Sequence, residues 1–559
     1  MIKLTPRLLA TAAIGLCASS ILASCGGGSS GSSTAAARVP VPPPVSQAPT
    51  FTSGVFAPRD NFVAQCAAPR SGNDPDGNAY PDRAGSTLIE KFWLRSWSHE
   101  TYLWNNEIED RDPNSIPDRV DYFDTLITNE LSETGSGRLK DDFHFSESTE
   151  DFFDRRNSAA TSGYGVRLAF INSTAPNREI RVLYTEPDSP ASAVQNGEVN
   201  FQRGALLLEI DGEDVINGND TDTLNGGLFP TNAGETHSFK VRDPNSDTDR
   251  TFTITSQDIA PSPVNRTEIL DTATGKVGYM LFNTFSPFES ENSLNEAFTL
   301  LQNEDVDDLV LDLRYNGGGL VAVAAQLGYM IAGSGPTSGK TASLLQYNDD
   351  AGNTDPTSAG NPVVDPIPFL STGVGFSVTR GTRLATVSLP RVYILTTEGT
   401  CSASELVINS LRGIDYEVVI IGDTTCGKPY GFLPTDNCGR TYYTIQFRSL
   451  NDKGFGDYSD GFSPQDTNNT FSEKSPGCTI ADNVSATSAE LGDPDEALLS
   501  AALYYRDNGM CPVVQSKTES WIAAKSRNDV LGTGDLDNSD KLAETIDSFL
   551  DITMPTTKN

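Results

Sequence analysis

Two short stretches of the chain hold residue types that could do nucleophilic chemistry. Ser402 lies in TCSASE (400–405), and Lys428 lies 26 residues later in TTCGKPYG (424–431). A serine hydroxyl is a weak nucleophile until a base removes its proton. A lysine amine can be that base once burial lowers its pKa toward neutrality. Because Ser-Lys pairs are a known variant of the serine triad, the two residues predict acyl-transfer chemistry.

The histidines of the chain narrow the choice of base. There are three, His99, His144 and His237, and none lies between residues 238 and 559. A Ser-His-Asp triad built within the segment around Ser402 is therefore excluded. The remaining alternative to the lysine is a histidine that reaches the serine from another part of the chain.

Strand and helix patterns alternate around both residues. Apolar strands are predicted in KVGYMLFNTF, DDLVLDLRYNGGG, RVYILTTEG and EVVIIGDTT, and helices in SENSLNEAFTLLQNEDV, LVAVAAQLGYMIAG and SASELVINSLRG. The alternation predicts an α/β (α+β) core with a mixed sheet flanked by helices. Ser402 and Lys428 then lie at strand or helix ends, where such folds place ligand-facing groups.

The segment before this core has short strands of period two, as in SGYGVRLAFI, REIRVLYT and GALLLEIDGEDVI. It resembles a PDZ domain. Gly163, Tyr164 and Gly165 resemble the loop whose amides receive a peptide carboxylate, so the resemblance implies a module that binds substrate tails as an added strand. The alternative is a module that only packs against its neighbour.

Behind this module, three motifs follow in an order that resembles one enzyme family. They are DLRYNGGG (312–319), TCSASELVINSLRG (400–413) and GDTTCGKPYG (422–431). With the PDZ-like module they resemble the C-terminal processing, or tail-specific, serine peptidases, in a lipoprotein subgroup. The resemblance spans about residues 86–505 and implies a serine endopeptidase that cleaves exported polypeptides and uses no cofactor.

The family resemblance also implies a role for each matched residue. Ser402 is the expected nucleophile and Lys428 the expected base. The backbone amides of Ala403 and Gly318 are the expected oxyanion hole.

The chain departs from the family pattern in its Ser-to-Lys spacing, which is one residue longer, in an acidic and aromatic segment at NCGRTYYTIQFRSLNDKGFGDYSDGFSP, and at one position near the lysine. Many relatives carry a glutamine four residues after the lysine, where this chain has Phe432, so a third catalytic member is missing or comes from elsewhere, for example from Gln446. Asp312 and Arg314 are interpreted as a structural ion pair. A non-catalytic peptide- or ligand-binding lipoprotein on the same scaffold is the alternative function, although this chain keeps both the serine and the lysine. A hydrolase of small esters or amides is a third.

The first 25 residues resemble a bacterial lipoprotein signal. A basic start, MIKLTPR, precedes LLATAAIGLCASSILA, which is too short to span a membrane as a stable helix, and LASC ends at Cys25. The resemblance implies lipidation at Cys25 and a membrane anchor in the bacterial cell envelope. Because Gly26 rather than aspartate follows the cysteine, the expected location is the outer membrane, facing the periplasm.

Charge and cysteine content limit the partners and the compartment. The formal charge of −35 argues against a nucleic-acid partner, since binding to phosphates needs basic residues. Six cysteines remain when Cys17 and Cys25 are set aside, and an even number in an exported chain predicts disulfides. The favoured pair is Cys401 with Cys426, because each lies beside one reactive residue; two free thiols are the alternative. The sequence has no CxxC pair or cysteine-histidine cluster that predicts a metal site.

These patterns divide the chain into six parts. They are a signal peptide (1–24), a Gly/Ser/Pro tether (25–56), an N-terminal loop and helical region (57–158), the PDZ-like domain (160–260), the serine peptidase core (265–512) and a C-terminal helical tail (513–559). The N-terminal region has aromatic residues at helical spacing in STLIEKFWLRSWSHETYLWNNEI, which favours packing in a core over a ligand site.

Overall fold

The computed structural model describes residues 48–157, 160–513 and 522–524. The predicted signal peptide, Cys25, most of the tether and most of the C-terminal tail lie outside these residues. Within the described ranges, none of the helices has the length and apolar content needed to cross a membrane.

The N-terminal region is helical and rich in buried aromatic residues, as the sequence predicts. Its elements are β1 (Gln65–Cys66), β2 (Arg83–Ala84), α1 (Thr87–Thr101), α2 (Arg119–Phe123), β3 (Phe145–Ser148) and α3 (Thr149–Asn157), with short 3-10 helices at Arg59–Asn61 and Asn105–Glu107. The side chain of Ser86 caps α1 by accepting a hydrogen bond from the Ile89 amide. Trp93 and Trp97 stack inside the region with ring centroids 5.2 Å apart, so this helix packs its aromatic face into a core.

A β-rich module follows, with its own hydrophobic core. Its elements are β4 (Thr161–Gly163), β5 (Val166–Asn172), β6 (Glu179–Thr185), β7 (Val194–Gln195), β8 (Glu198–Val199), β9 (Leu206–Ile210), β10 (Glu213–Asp214), α4 (Thr221–Leu228), β11 (Thr236–Arg242), β12 (Asp249–Thr255) and β13 (Gln257–Ile259). The main antiparallel sheet has the order β12-β11-β9-β6-β5. The turn predicted at Asp211 and Gly212 is present, and both residues have a positive φ.

The α/β core predicted over residues 265–512 begins with the alternating elements that the sequence predicts. Its first half consists of β14 (Val264–Thr272), β15 (Gly275–Phe282), α5 (Ser290–Asn303), β16 (Asp308–Asp312), α6 (Val321–Ala332), α7 (Ser334–Thr337), β17 (Thr341–Gln346), β18 (Ile367–Pro368), β19 (Arg391–Thr396), α8 (Ala403–Gly413) and β20 (Glu417–Gly422). The second half adds β21 (Tyr430–Gly431), β22 (Thr435–Asn437), β23 (Arg440–Tyr443), β24 (Phe447–Leu450), β25 (Phe462–Pro464), β26 (Glu473–Ser475), β27 (Gly477–Thr479) and α9 (Ala497–Asn508). The last described strand, β28 (Ile522–Ala524), lies in the C-terminal tail.

A six-stranded mixed sheet organises this core, in the order β14-β15-β16-β19-β20-β27. The β14–β15 pair is antiparallel, and the other neighbours are parallel. Helices α5, α6 and α8 pack on one face, while α9 and residues of the β-rich module cover the other. All five residues of β16 are buried, which is typical of a parallel strand covered on both faces. The predicted fold class, a mixed α+β core with a β-rich module, is therefore confirmed.

The parallel strands bring the three motifs to one edge of the sheet. The carboxyl ends of parallel strands lie at the same edge, and β16, β19 and β20 are direct neighbours. The glycine run follows β16, the serine turn (residues 400–405) follows β19, and the lysine turn (residues 424–431) follows β20. The sheet topology therefore places these turns side by side.

Disulfides tie distant parts of the chain together. Cys401 is bonded to Cys426, as the sequence analysis favours. The other two described bonds join Cys66 to Cys438 and Cys478 to Cys511, and no feature of the sequence selects these pairs.

The C-terminal tail differs from its prediction where it is described. Residues Ile522–Ala524 form β28, which pairs antiparallel with the outer edge of β5. The prediction of helix is therefore wrong at these three residues, because a free strand edge offers backbone hydrogen bonds that an extended segment can complete. The rest of the predicted helical tail lies outside the described residues.

Candidate active site

The serine turn has a strained backbone. Ser402 precedes α8 with φ 54° and ψ −110°, a conformation that residues with a side chain adopt rarely. Such a residue costs about 1 to 3 kcal/mol and persists only where its surroundings hold it. A sharp strand-to-helix turn of this kind exposes the nucleophile of many hydrolases. The Ser402 carbonyl accepts the first helical hydrogen bond, from the Leu406 amide at 2.8 Å.

The lysine turn buries its side chain. Lys428 is 1% exposed, and its Nζ lies 4.5 Å from the ring centroids of both Phe143 and Phe432. Burial disfavours the charged ammonium and holds the pKa of Lys428 well below its usual range, although the nearby carboxylates of Asp141 and Glu405 partly oppose this shift. A lysine in these surroundings can act as a general base near neutral or mildly alkaline pH.

Ser402 and Lys428 line the same cleft. Ala403 and Gly319 lie on its wall as well. The remaining lining is mostly apolar or aromatic and includes Val321, Leu406, Tyr430, Phe447 and Tyr458. The structure therefore brings the predicted nucleophile and the predicted base to one cavity with an apolar wall.

Glu405 fastens the serine turn to the lysine turn, and the sequence analysis did not single it out. Its buried carboxylate accepts hydrogen bonds from the Ser402 amide at 3.0 Å and from the Gly427 and Lys428 amides at 2.8 Å each. The Thr425 hydroxyl adds a fourth bond at 2.5 Å. Burial raises the pKa of Glu405, and these hydrogen bonds act in the opposite direction. The Ser-x-x-Glu spacing of a helix capping box is the sequence signal that could have identified it.

Asn316 fastens the glycine run to the serine turn in a similar way. Its backbone carbonyl accepts hydrogen bonds from the Cys401 amide at 3.1 Å and from the Ser404 hydroxyl at 3.0 Å. Its side-chain amide donates to the Phe282 carbonyl at 2.9 Å. Ser404 therefore has a structural role beside the nucleophile.

The glycine run packs against the serine turn. A Cβ atom on Gly318, whose φ is +111°, would lie 2.8 Å from the Cβ of Ser402, so only glycine fits there. The Gly318 amide, predicted as an oxyanion donor, donates to the side-chain oxygen of Asn316 at 2.9 Å. Gly319 and the other predicted donor, Ala403, line the cleft, whereas Gly318 does not.

The three histidines lie away from the cleft lining, and each is engaged elsewhere. His99 stacks on Phe56, His144 bonds to the Thr444 hydroxyl and the Phe123 carbonyl, and His237 bonds to Asp211. Burial lowers the pKa of His144 to about 4. A histidine borrowed from another region therefore has no support in this arrangement.

Asp312 and Arg314 form the ion pair that the sequence predicts. Arg314 is fully buried and also bonds to Asp482 and Glu496, at 3.0 and 2.8 Å. Asp482 in turn bonds to Arg203 of the β-rich module at 2.7 Å. This network joins the core to the module and does not line the cleft.

The residues predicted to receive a peptide carboxylate lie directly before β5. Gly163 ends β4, opposite Gln257 of β13. Tyr164 is buried in the module, and its hydroxyl donates to the Gly227 carbonyl at 2.9 Å. The Gly165 carbonyl accepts from the Glu186 amide at 2.7 Å. Because the Tyr164 side chain belongs to the module core, only the backbone of this turn is available to a ligand.

Two groups within the described residues bring cysteines and a glutamate within reach of a common ion. They are Cys66, Glu90 and Cys438, and Cys401, Glu405 and Cys426. In both groups the cysteines are joined in a disulfide, which leaves no thiolate to bind a metal.

The comparisons with known proteins centre on this site. Residues 276–435 match the model of peptidase family S41. A carboxyl-terminal-processing protease from Picosynechococcus sp. is 33% identical over 177 residues, which are 30% of this chain and 38% of that protein. A chloroplastic C-terminal processing peptidase from Tetradesmus obliquus is 25% identical over 283 residues, or 49% of this chain and 53% of that protein. The chain thus matches about half or less of the length of these relatives.

A solved structure has the same fold. It is the crystal structure of a Bacteroides fragilis NCTC 9343 protein assigned to the S41 proteases, with a TM-score of 0.54 and 23% sequence identity, over 77% of this chain and 98% of that one. The segment that matches the family model contains Ser402 and Lys428, which line the cleft, together with Glu405 and the glycine run. The segment that holds this site is therefore similar to peptidase family S41 and to the C-terminal processing serine peptidases.

Proposed function

We propose that the protein is a serine endopeptidase that cleaves exported polypeptides through a Ser-Lys mechanism. The observation that carries this proposal is that Ser402 and the buried Lys428 share one cleft, while Glu405 holds both of their turns. The match to peptidase family S41 supports a serine-type hydrolase, and the geometry of the cleft favours Lys428 as its base.

The proposed reaction begins when the neutral Lys428 amine takes the proton of the Ser402 hydroxyl as its oxygen attacks the scissile carbonyl. The backbone amide of Ala403 stabilises the oxyanion, and Gly319 is better placed than Gly318 to supply the second amide. Collapse of the intermediate breaks the peptide C–N bond, and the lysine returns its proton to the leaving amine. A water molecule, deprotonated by the same lysine, then attacks the acyl-enzyme. The bond to the Ser402 oxygen breaks, and the lysine returns its proton to that oxygen, which restores the free enzyme.

The cleft wall suggests the kind of residue that is cleaved. Val321, Leu406 and Phe447 offer apolar surface beside the nucleophile. A polypeptide with an apolar side chain next to the scissile bond gains from burying that side chain there. We expect cleavage after or before apolar residues, in preference to charged ones.

The β-rich module is the proposed binding site for substrate tails. Strand β5 follows the Gly163–Gly165 turn directly. Its outer edge is able to pair with an added antiparallel strand, since β28 of the same chain pairs with it in this way. The direction of β28, with Ala524 opposite Leu168 and Ile522 opposite Phe170, runs toward this turn, as a bound peptide carboxylate would.

The proposed location is the bacterial outer membrane, with the chain anchored through lipid on Cys25 and facing the periplasm. The three disulfides within the described residues support an oxidising compartment. Incorporation of a labelled fatty acid that is lost in Cys25→Ser tests the anchor.

A fluorophosphonate probe with mass-spectrometric site mapping tests the enzyme. We expect the label on Ser402, its loss in Ser402→Ala, and its retention in Ser404→Ala, whose hydroxyl only supports Asn316. Absence of label on the wild-type chain would favour a non-catalytic binding lipoprotein. Labelling without hydrolysis of any peptide in a mixed library would instead favour a hydrolase of small esters or amides.

The pH dependence of labelling identifies the base. The rate is expected to rise through one deprotonation, and Lys428→Arg is expected to be inactive because a guanidinium does not lose its proton. Replacing His99, His144 and His237 together with asparagine should leave that pH profile in place. An active Lys428→Arg enzyme would contradict the Ser-Lys assignment.

A further inference from the structure

The pocket around Lys428 is completed by the N-terminal region. The Lys428 Nζ atom lies 4.5 Å from the ring centroids of two phenylalanines. Phe143 comes from the segment before β3, and Phe432 comes from the same domain as the lysine. Phe432 occupies the position where the family resemblance predicts a glutamine that orients the lysine. Phe432 cannot supply the polar contact that a glutamine would give, so the polar groups of the surrounding pocket become relevant.

Asp141 lies two residues before Phe143 and is fixed in place. It is 2% exposed, and its two carboxylate oxygens accept hydrogen bonds from the Phe143 amide at 2.8 Å and the Tyr102 hydroxyl at 2.9 Å. The Tyr102 oxygen in turn accepts a bond from the Thr128 amide at 3.1 Å. A buried carboxylate anchored by two donors in the pocket of a buried lysine is a costly arrangement, and groups perturbed in this way cluster at functional sites.

Asp141 and Lys428 interact electrostatically, each favouring the charged form of the other. Burial raises the pKa of Asp141 to about 6, so this carboxylate is ionised above that pH. The other titratable groups around the pair are Glu405 on the lysine side and Asp142, Tyr102 and Tyr430 on the aspartate side. Of these, Glu405 is already held by four donors of the two turns.

Gln446, which the sequence analysis names as an example of a substitute for the missing glutamine, has a different partner. The side-chain oxygen of Gln446 accepts a hydrogen bond from the Leu433 amide at 2.8 Å. Its carbonyl is thus committed to the backbone after the lysine turn. This leaves Asp141 as the better candidate for a group that acts on the amine.

We propose that Asp141, supplied by the N-terminal region, is a positioning residue that orients the amine of Lys428 toward Ser402. This inference rests on the proposed Ser-Lys function. Asp141 acts through the lysine and does not touch the substrate. The active site is then built from two regions of the chain, and the N-terminal region is part of the catalytic apparatus.

The test compares Asp141→Asn with the wild-type chain, using the rate at which a fluorophosphonate labels Ser402 as a function of pH. Loss of the negative charge removes an interaction that favours the ammonium, so the midpoint of the profile should fall by about one pH unit. The plateau rate should fall by about tenfold or more, because the amine is no longer oriented. Tyr102→Phe, which keeps the ring and releases one oxygen of Asp141, should slow labelling less, in the same direction.

The matched control is Asp121→Asn, an exposed aspartate of the same region, which should retain the wild-type rate and midpoint. Thermal unfolding of each variant separates loss of fold from loss of orientation, and Tyr102→Phe supplies the test if Asp141→Asn does not fold. A wild-type midpoint and plateau in both variants would overturn the inference and leave the Ser-Lys function standing. Absence of label on wild-type Ser402 would overturn both.

Discussion

At the scale of single residues, Glu405 is the group on which the geometry of the site depends. Its carboxylate accepts hydrogen bonds from the backbone amides of both reactive residues, Ser402 and Lys428, and from the Thr425 hydroxyl. The strained backbone of Ser402 needs such support, because nothing in an isolated turn would hold that conformation. The nucleophile and the base are therefore positioned by the same two oxygen atoms.

Replacing Glu405 with glutamine should damage catalysis more than binding. The new NH₂ group faces backbone N–H donors, so one turn loses its acceptor and shifts. We expect kcat to fall by about 100-fold, the cost typical of a misplacement near 1 Å, while KM changes little. Steady-state peptide hydrolysis measures this, and Glu417→Gln, an exposed glutamate on β20, is the control. Equal kinetics in the two variants would contradict the positioning role.

The Cys401–Cys426 disulfide is a second link between the same turns. By chain entropy alone, its loop of 25 residues contributes roughly 3 kcal/mol to stability. The Cys401→Ala/Cys426→Ala variant should lose about tenfold in kcat with a smaller change in KM, since the turns lose a constraint. Removing the Cys478–Cys511 bond, which is not part of these turns, should lower the melting temperature without that fall in kcat. Peptide mapping without reduction verifies both bonds.

At the scale of elements, the sequence predicts the core well and the contacts between regions poorly. Helices α5, α6 and α8 and strands β15, β16, β19 and β20 follow from their periodicity, and the parallel order then brings the serine and lysine turns together. The site residues Asp141 and Asn316 could not be predicted, since their roles depend on which segments meet in space. The pairing of Cys66 with Cys438 could not be predicted either, because six cysteines allow fifteen arrangements.

The pairing of β28 with β5 has a measurable consequence for the β-rich module. An intramolecular strand has a high effective concentration and competes with a peptide for the same edge. Deleting residues 514–559 should strengthen binding of a labelled TESWIAA peptide (residues 518–524) by about tenfold or more, measured by fluorescence anisotropy. Deleting only residues 530–559 keeps β28 and should leave the affinity weak. Equal affinities for both truncated chains would contradict competition at this edge.

At the scale of the whole molecule, the N-terminal region is fastened to the lysine side of the core. Strand β3 pairs with β23, and Arg138 donates a hydrogen bond to the Cys426 carbonyl at 2.6 Å. The Cys66–Cys438 bond adds a covalent link between the same parts. The region thus encloses the lysine from one side.

Loss of the Cys66–Cys438 bond should loosen this enclosure. We expect the Cys66→Ala/Cys438→Ala variant to lose roughly 2 to 5 kcal/mol of stability. Hydrogen exchange should rise in residues 87–157 and stay low in β15 and β16, while fluorophosphonate labelling of Ser402 slows. Unchanged exchange in the N-terminal region would show that packing alone holds it.

The Cys66–Cys438 bond also affects the order in which the disulfides can form during synthesis. Cys66 and Cys438 are 372 residues apart, so at roughly 5 to 20 residues per second the first waits roughly 20 to 75 s for its partner. Cys401 and Cys426 both emerge earlier and are bonded to each other in the finished molecule. If bonds form in the order in which the cysteines appear, Cys66 meets Cys401 before Cys438, and we expect thiol-disulfide exchange to correct such a bond. Maturation of this protein should accordingly depend on a disulfide isomerase as well as on an oxidant.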